Sequence, residues 1–343
     1  MNRIRKNKDI IMMIILLCIV IIVAFQIKIF AGKDQKKVDS IRIGVAAYKV
    51  NDAFISTVLS DLLESAKACE QKNNIKIRVD ISDGKEDQMI QNAQIDKYIA
   101  LDYDVICVNM VDRTMAATIV DKAKSADIPI VFFNREPVEE DMLRWDKMYY
   151  VGADAKEAGV LQGEMIVDAY NKDKSFIDRN GDGTVAYVIL EGESGHQDSL
   201  VRTEWSVQTL KNGGMKVEKL TGAIADWDRN QAKVFMEKWL KEYGNQIELI
   251  ISNNDDMALG AIDAIKMLNM EQIATVGIDG IPQALASIEE EKLLGTVVSE
   301  SKLHAQAIFD IAYSLGKEQS VDTEKLIQGK YVRVKQYKFT KED

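Results

Sequence analysis

Asp104-Val105-Ile106-Cys107-Val108-Asn109 is the stretch on which the fold turns. Its central residues are apolar without alternation, as in a strand buried on both faces. Amphipathic helical patterns flank it at Glu86–Ala100 and Met115–Ala126, and a second apolar run, Ile130–Phe133, follows. Short apolar strands separated by helices imply a parallel sheet covered on both sides. Asn109 ends the strand, and in such sheets ligands bind at the carboxyl ends of strands.

The same pattern extends in both directions. Candidate strands at Ile41–Ala47 and Ile75–Ile81 precede it. A second series follows at Tyr149–Gly152, Thr184–Leu190, Glu248–Ser252, Ala274–Ile278 and Gly295–Val298, interleaved with helical patterns such as Lys156–Lys172, Gln231–Tyr243 and Met257–Met267. Two series imply an α/β chain of two doubly wound parallel-sheet lobes. Asp52, Asn109, Asn254 and Asp279 each end a strand or follow one closely.

Two further segments carry chemistry. Gly195-His196-Gln197-Asp198-Ser199-Leu200-Val201-Arg202 gathers an imidazole, a carboxylate and a guanidinium at a helix start, which suits a polyhydroxylated ligand. Just upstream, Asp178-Arg179-Asn180-Gly181-Asp182-Gly183-Thr184 presents oxygen side chains at alternate positions. Asp178, Asn180 and Asp182 fit positions one, three and five of a calcium loop, with Thr184 offering its carbonyl. Ala186 stands at position nine and Ile189 at position twelve, so the loop itself provides no bidentate Glu.

The N-terminus sets the compartment. Arg3, Arg5, Lys6 and Lys8 precede an uncharged apolar run from Ile10 to Phe25. Such a pattern is a signal peptide or a single membrane anchor, and its length falls short of the roughly 20 residues of a full span. Ala31-Gly32 offers a cleavage site. Cys18 invites lipidation, but Leu17 precedes it where a small residue is expected. Under each alternative the remainder lies outside the cytoplasm, on the cell surface or in the periplasm. Residues 1–32 are read as this segment and 33–39 as a stalk. The expected first lobe is 40–128 plus 300–333, and the second is 129–299 plus 334–343, with crossovers near Ile128, Ser299 and Arg333.

Composition agrees with an exported globular protein. The 343 residues suffice for two domains, and the net charge is −10. An acidic exterior excludes nucleic acid, which requires a basic face. Cys69 and Cys107 fall in a helical and a strand pattern and are read as buried free thiols. No activated Ser or Cys motif and no phosphate-binding glycine loop is evident, so no enzyme is expected.

The chain resembles the glucose/galactose-binding proteins of the bacterial periplasm. The resemblance rests on Ile43-Gly44-Val45-Ala46-Ala47-Tyr48-Lys49, Val131-Phe132-Phe133-Asn134-Arg135-Glu136-Pro137, Tyr149-Tyr150-Val151-Gly152, Ala225-Asp226-Trp227-Asp228, Asn253-Asn254-Asp255 and Gly277-Ile278-Asp279. It runs from about Ile41 to Tyr337. It implies two lobes joined by a three-stranded hinge, with a monosaccharide between them. The implied polar clamp is Asp52, Asn109, His196, Asp198, Arg202, Asn254 and Asp279, and the implied aromatic plates are Phe54 and Trp227. Ser299 stands where the family carries an Asn, which reduces the reach of that contact. The resemblance also assigns Glu248 to a structural Ca2+ site with Asp178, Asn180, Asp182 and Thr184. The implied partner is an ABC sugar permease, or else a membrane sensor such as a histidine kinase or chemoreceptor.

Overall fold

The computed structural model describes residues 40–322, 324 and 326–342. The expected N-terminal anchor or signal segment lies outside the described residues. Among the described residues, no helix is long and apolar enough to cross a membrane.

The chain opens as β1 (Ser40–Ala47), α1 (Ala53–Asn73), β2 (Lys76–Asp83), α2 (Gln88–Ala100), β3 (Val105–Val108), α3 (Ala116–Ser125), β4 (Ile130–Phe133), α4 (Glu139–Met142) and β5 (Met148–Gly152). It continues as α5 (Ala155–Lys172), α6 (Lys174–Ile177), β6 (Val185–Glu191), α7 (Gln197–Asn212), β7 (Val217–Ile224), α8 (Arg229–Tyr243), β8 (Leu249–Ser252), α9 (Asp255–Met267), β9 (Ala274–Asp279), α10 (Pro282–Glu289) and β10 (Gly295–Ser299). It closes with α11 (Ser301–Gly316), β11 (Tyr331–Arg333) and β12 (Gln336–Thr340).

The strands form two six-stranded sheets, ordered β11-β5-β4-β3-β1-β2 and β12-β10-β9-β8-β6-β7. β12 runs antiparallel to β10, and β3 pairs in parallel with β1 and β4. This is the expected pair of doubly wound lobes. β3, the opening stretch above, lies at the heart of the first sheet: Cys107 faces Val45 on one side and Val131 on the other. All four of its residues are buried, which is why its pattern shows no alternation. Cys69 and Cys107 are free, but only Cys107 is buried as expected; Cys69 on α1 is partly exposed, and burial pushes the Cys107 thiol up to about 12.

One boundary differs from the expectation. β4 pairs with β3, and β5 pairs with β4 and β11, all in the first sheet. The chain therefore leaves the first sheet after Gly152, and not at Ile128; Ile130–Phe133 and Tyr149–Gly152 belong to the first lobe. Local sequence is silent on this point, because a strand's hydrophobic run does not say which sheet it joins. The chain returns to the first lobe after Ser299, where α11 packs on α1 and β3. It crosses again between Arg333 and Gln336 to add β12 to the second sheet.

Helix starts lie at the carboxyl ends of the strands, and several are capped by short polar side chains. Asp52 Oδ1 accepts from the Phe54 and Ile55 amides at 3.0 and 2.8 Å, capping α1. His196 Nδ1 accepts from the Asp198 amide at 3.1 Å at the start of α7. Asn254 Oδ1 accepts from the Met257 amide at 3.0 Å at the start of α9. Each cap satisfies an orphan helix N–H. Three residues expected to hold ligand are thus fixed by folding itself.

Candidate functional site

These three caps meet in a narrow cavity of about 30 Å³ between the lobes. Tyr48, Asp52, Phe54, Ile55, Asn134 and Arg135 line it from the first lobe. His196, Asp198, Arg202, Trp227, Asn254 and Asp279 line it from the second.

Arg202 organises the second wall. Its Nη2 lies 3.4 Å from Asp198 Oδ2, and its Nη1 lies 3.6 Å from Asp279 Oδ1. Nη1 also donates to the Asn253 carbonyl at 2.9 Å. The i, i+4 spacing on α7 places Asp198 and Arg202 on one face. Burial pushes the carboxyls of Asp198 and Asp279 above the usual range, and Arg202 opposes the shift. His196 moves the other way: burial and the charges of Arg135, Arg202 and Arg113 hold it well below its usual value. It is neutral at pH 7. Because Nδ1 accepts from an amide, the ring proton sits on Nε2, which remains a donor.

The aromatic plates come from opposite lobes. Phe54 follows the Asp52 cap, and Trp227 packs edge-on against His196 with centroids 5.2 Å apart. Three of the lining residues hold left-handed backbone. Asn134, Trp227 and Asp279 hold φ of 60°, 62° and 128°, in the region that side chains disfavour.

Two expected clamp members stand behind the cavity wall. Asn109 is fully buried, and its amide donates to the Phe133 carbonyl at 3.2 Å and to Asn134 Oδ1 at 3.1 Å. Its own Oδ1 has no partner. Ser299 ends β10, one residue past the pairing of Val298 with Asp279. It borders a hinge-side chamber that also touches Phe54 and Asp279.

Sequence reasoning did not single out Tyr48, Asn134 and Arg135, although all three lie in stretches that carry the family resemblance. Tyr48 donates its hydroxyl to Asp52 Oδ2. The Arg135 guanidinium lies over the Tyr48 ring at 3.9 Å and donates to the Val111 carbonyl at 2.7 Å. It also donates to Glu193 Oε1 on the other lobe at 2.7 Å. No local pattern marks an arginine as the bridge between lobes.

The expected metal residues do converge. Glu248, fully buried on the approach to β8, reaches the Asp178 loop. Its Oε1 accepts from the Asn180 amide at 3.0 Å and its Oε2 from the Ala186 amide at 2.8 Å. Asp178 accepts from the Gly181 and Gly183 amides, each at 3.0 Å. Asn180 and Asp182 accept from the amides of Asp182 and Thr184. The amides tie the loop around its acceptors. The donor set is all oxygen, and among the described residues no basic side chain is bonded to the buried Glu248, so it suits a hard cation. Among the described residues, no cluster of three or more His, Cys, Asp and Glu side chains stands close enough to hold a metal on its own. The amide and carbonyl oxygens of Asn180 and Thr184 would have to complete the shell.

Two doubly wound lobes, a three-strand connection and a small polar cavity with aromatic walls define a bilobal small-molecule receptor. The chain belongs to the periplasmic binding protein family, whose profile, described as a periplasmic binding protein domain, matches residues 43–319. It is 35% identical over 315 residues to the D-galactose/methyl-galactoside binding periplasmic protein MglB of Haemophilus influenzae, covering 91% of this chain and 93% of that one. It is 30% identical over 284 residues to a putative rhizopine-binding protein of Rhizobium meliloti, covering 82% and 86%. Among solved structures it is similar to an ABC transporter solute-binding protein of Bacillus halodurans with bound myo-inositol, with a TM-score of 0.75, 26% identity, and coverage of 90% and 96%. These relatives are binding proteins, and the chain is a binding protein, not an enzyme.

Proposed function

We propose that this chain captures a monosaccharide of the glucose/galactose type outside the cytoplasm and delivers it to an ABC sugar permease. The observation that carries this reading is the Asp198–Arg202–Asp279 row, which faces Asp52 across a cavity walled by Phe54 and Trp227. Paired carboxylates and a guanidinium bond adjacent hydroxyls, while apolar sugar faces pack on rings. The names of the relatives support a polyhydroxylated ligand but differ in which one. Ligand contacts drawn from both lobes exist only when the cleft is closed, so binding shifts the population toward closure.

The Asp178 loop with Glu248 takes a structural Ca2+ in this reading, away from the strand ends that hold the sugar. The basic-flanked run Ile10–Phe25 favours a second role, in which a retained anchor lets the closed form signal to a membrane sensor. Uptake of labelled sugar by cells with and without the chain separates delivery from sensing. Calorimetric titration against glucose, galactose, xylose and ribose, repeated with Asp198→Ala, tests binding itself.

A further inference from the structure

His304 lies outside the cavity and touches Phe54, which walls it, and Ser299, which borders the adjoining chamber. Its Nε2 stands 2.9 Å from Ser299 Oγ. Its ring meets Phe54 edge-on, with centroids 5.4 Å apart. His304, Ser299 and Phe54 are respectively 3%, 4% and 8% exposed. The two contacts belong to different lobes. Ser299 ends β10 of the second sheet, whereas Phe54 opens α1, against which α11 and its His304 pack. The chamber bordered by Ser299, Phe54 and Asp279 adjoins the ligand cavity, which shares Phe54 and Asp279 with it.

A serine hydroxyl alone is an ambiguous contact, because its proton rotates freely. A neutral imidazole has one donor and one acceptor nitrogen, so its tautomer fixes which role the hydroxyl keeps for a second partner. Burial and the charge of Arg202 push His304 down to about 4, so it is neutral at working pH. The same ring stands at 86° to the Phe54 plate.

We infer that His304 is a positioning residue that sets which sugars the cleft prefers, by fixing the Ser299 hydroxyl and the Phe54 ring relative to each other. The role rests on the monosaccharide reading above. It acts on the difference between ligands, because a sugar lacking a hydroxyl toward Ser299 gains nothing from the fixed proton.

The test is calorimetric titration of glucose, galactose, xylose and ribose with wild type, His304→Leu and His304→Gln. Leu keeps bulk against Phe54 and removes the hydrogen bond; Gln restores a polar partner. A hydrogen bond contributes about 0.5–1.5 kcal/mol, so the ratio of Kd between the best sugar and the next should move roughly threefold to tenfold in the Leu variant. The Gln variant should return it to within about twofold. Ser299→Ala removes the other end of the bond without adding bulk and should shift the same ratio, which covers a Leu variant that fails to fold. Uniform weakening of all sugars, unchanged ratios, or no recovery with Gln would overturn the role. A wild type that binds no sugar in the panel would instead sink the monosaccharide reading, and this role with it.

Discussion

Trp227 lies over Gly192 so closely that a Cβ at Gly192 would stand 2.1 Å from the ring's Cζ2. The glycine is therefore the seat of the aromatic plate. Trp227 itself sits at a left-handed φ of 62°, so it cannot easily yield. Gly192→Ala should displace the indole and weaken sugar binding by at least about tenfold, equal to about 1.4 kcal/mol of lost ring contact. Trp fluorescence and calorimetry check this; an unchanged Kd would mean the ring is not a ligand surface.

The Arg135–Glu193 ion pair closes the lobes on each other. The Arg135 side chain is only 6% exposed, so removing its partner leaves a buried charge. Glu193→Gln should speed sugar release and weaken affinity roughly tenfold, within the cost of leaving a buried group short of its partner. Stopped-flow release measures it. An unaltered off-rate would show that the pair does not help hold the closed form.

His304 gives a stability signature with a definite sign. Its folded value is about 4, below the ordinary imidazole value of about 6.5. Between those limits the unfolded chain binds a proton that the folded chain refuses, so stability falls as pH drops through that window. Burial raises the Asp255 carboxyl to about 6, which acts in the opposite direction and stabilises as pH falls. His304→Leu should therefore gain stability relative to wild type as pH falls from about 6.5 to 4, because it removes the His304 contribution and leaves that of Asp255. Calorimetric scans at four pH values decide it; parallel curves for the two proteins would contradict the buried, neutral state.

Calcium should raise Tm, since a ligand of the folded state stabilises it. Chelator should reverse the rise and Glu248→Gln should abolish it, with sugar affinity little changed. Metal analysis of dialysed protein and thermal scans check this. No calcium in the protein and no shift in Tm would make the Asp178 loop a plain turn.

Much of this was legible in the sequence, for local reasons. Unalternating runs such as Val105–Val108 report burial on both faces, and the residues of the Gly195–Arg202 segment fall where a cap and one helical turn put them. What was not legible is non-local. Nothing within Tyr149–Gly152 says that it pairs with β4 and β11, so the expected first crossover falls two strands too early. Arg135 becomes a bridge only through Glu193, far along the chain. His304 is buried between Ser299 and Phe54, which come from two lobes, a juxtaposition no helix pattern shows. Asn109 braces Asn134 through its amide while its own Oδ1 stays unpartnered, and no local pattern shows that brace.

The most direct measurement is a calorimetric titration of the exported part with glucose and galactose, alongside Asp198→Ala and Asn254→Ala. The interlobe clamp predicts one sugar bound per chain to at least one of these hexoses, with both substitutions weakening it by about tenfold or more. Absence of heat with either hexose, or affinities that ignore both substitutions, would contradict it.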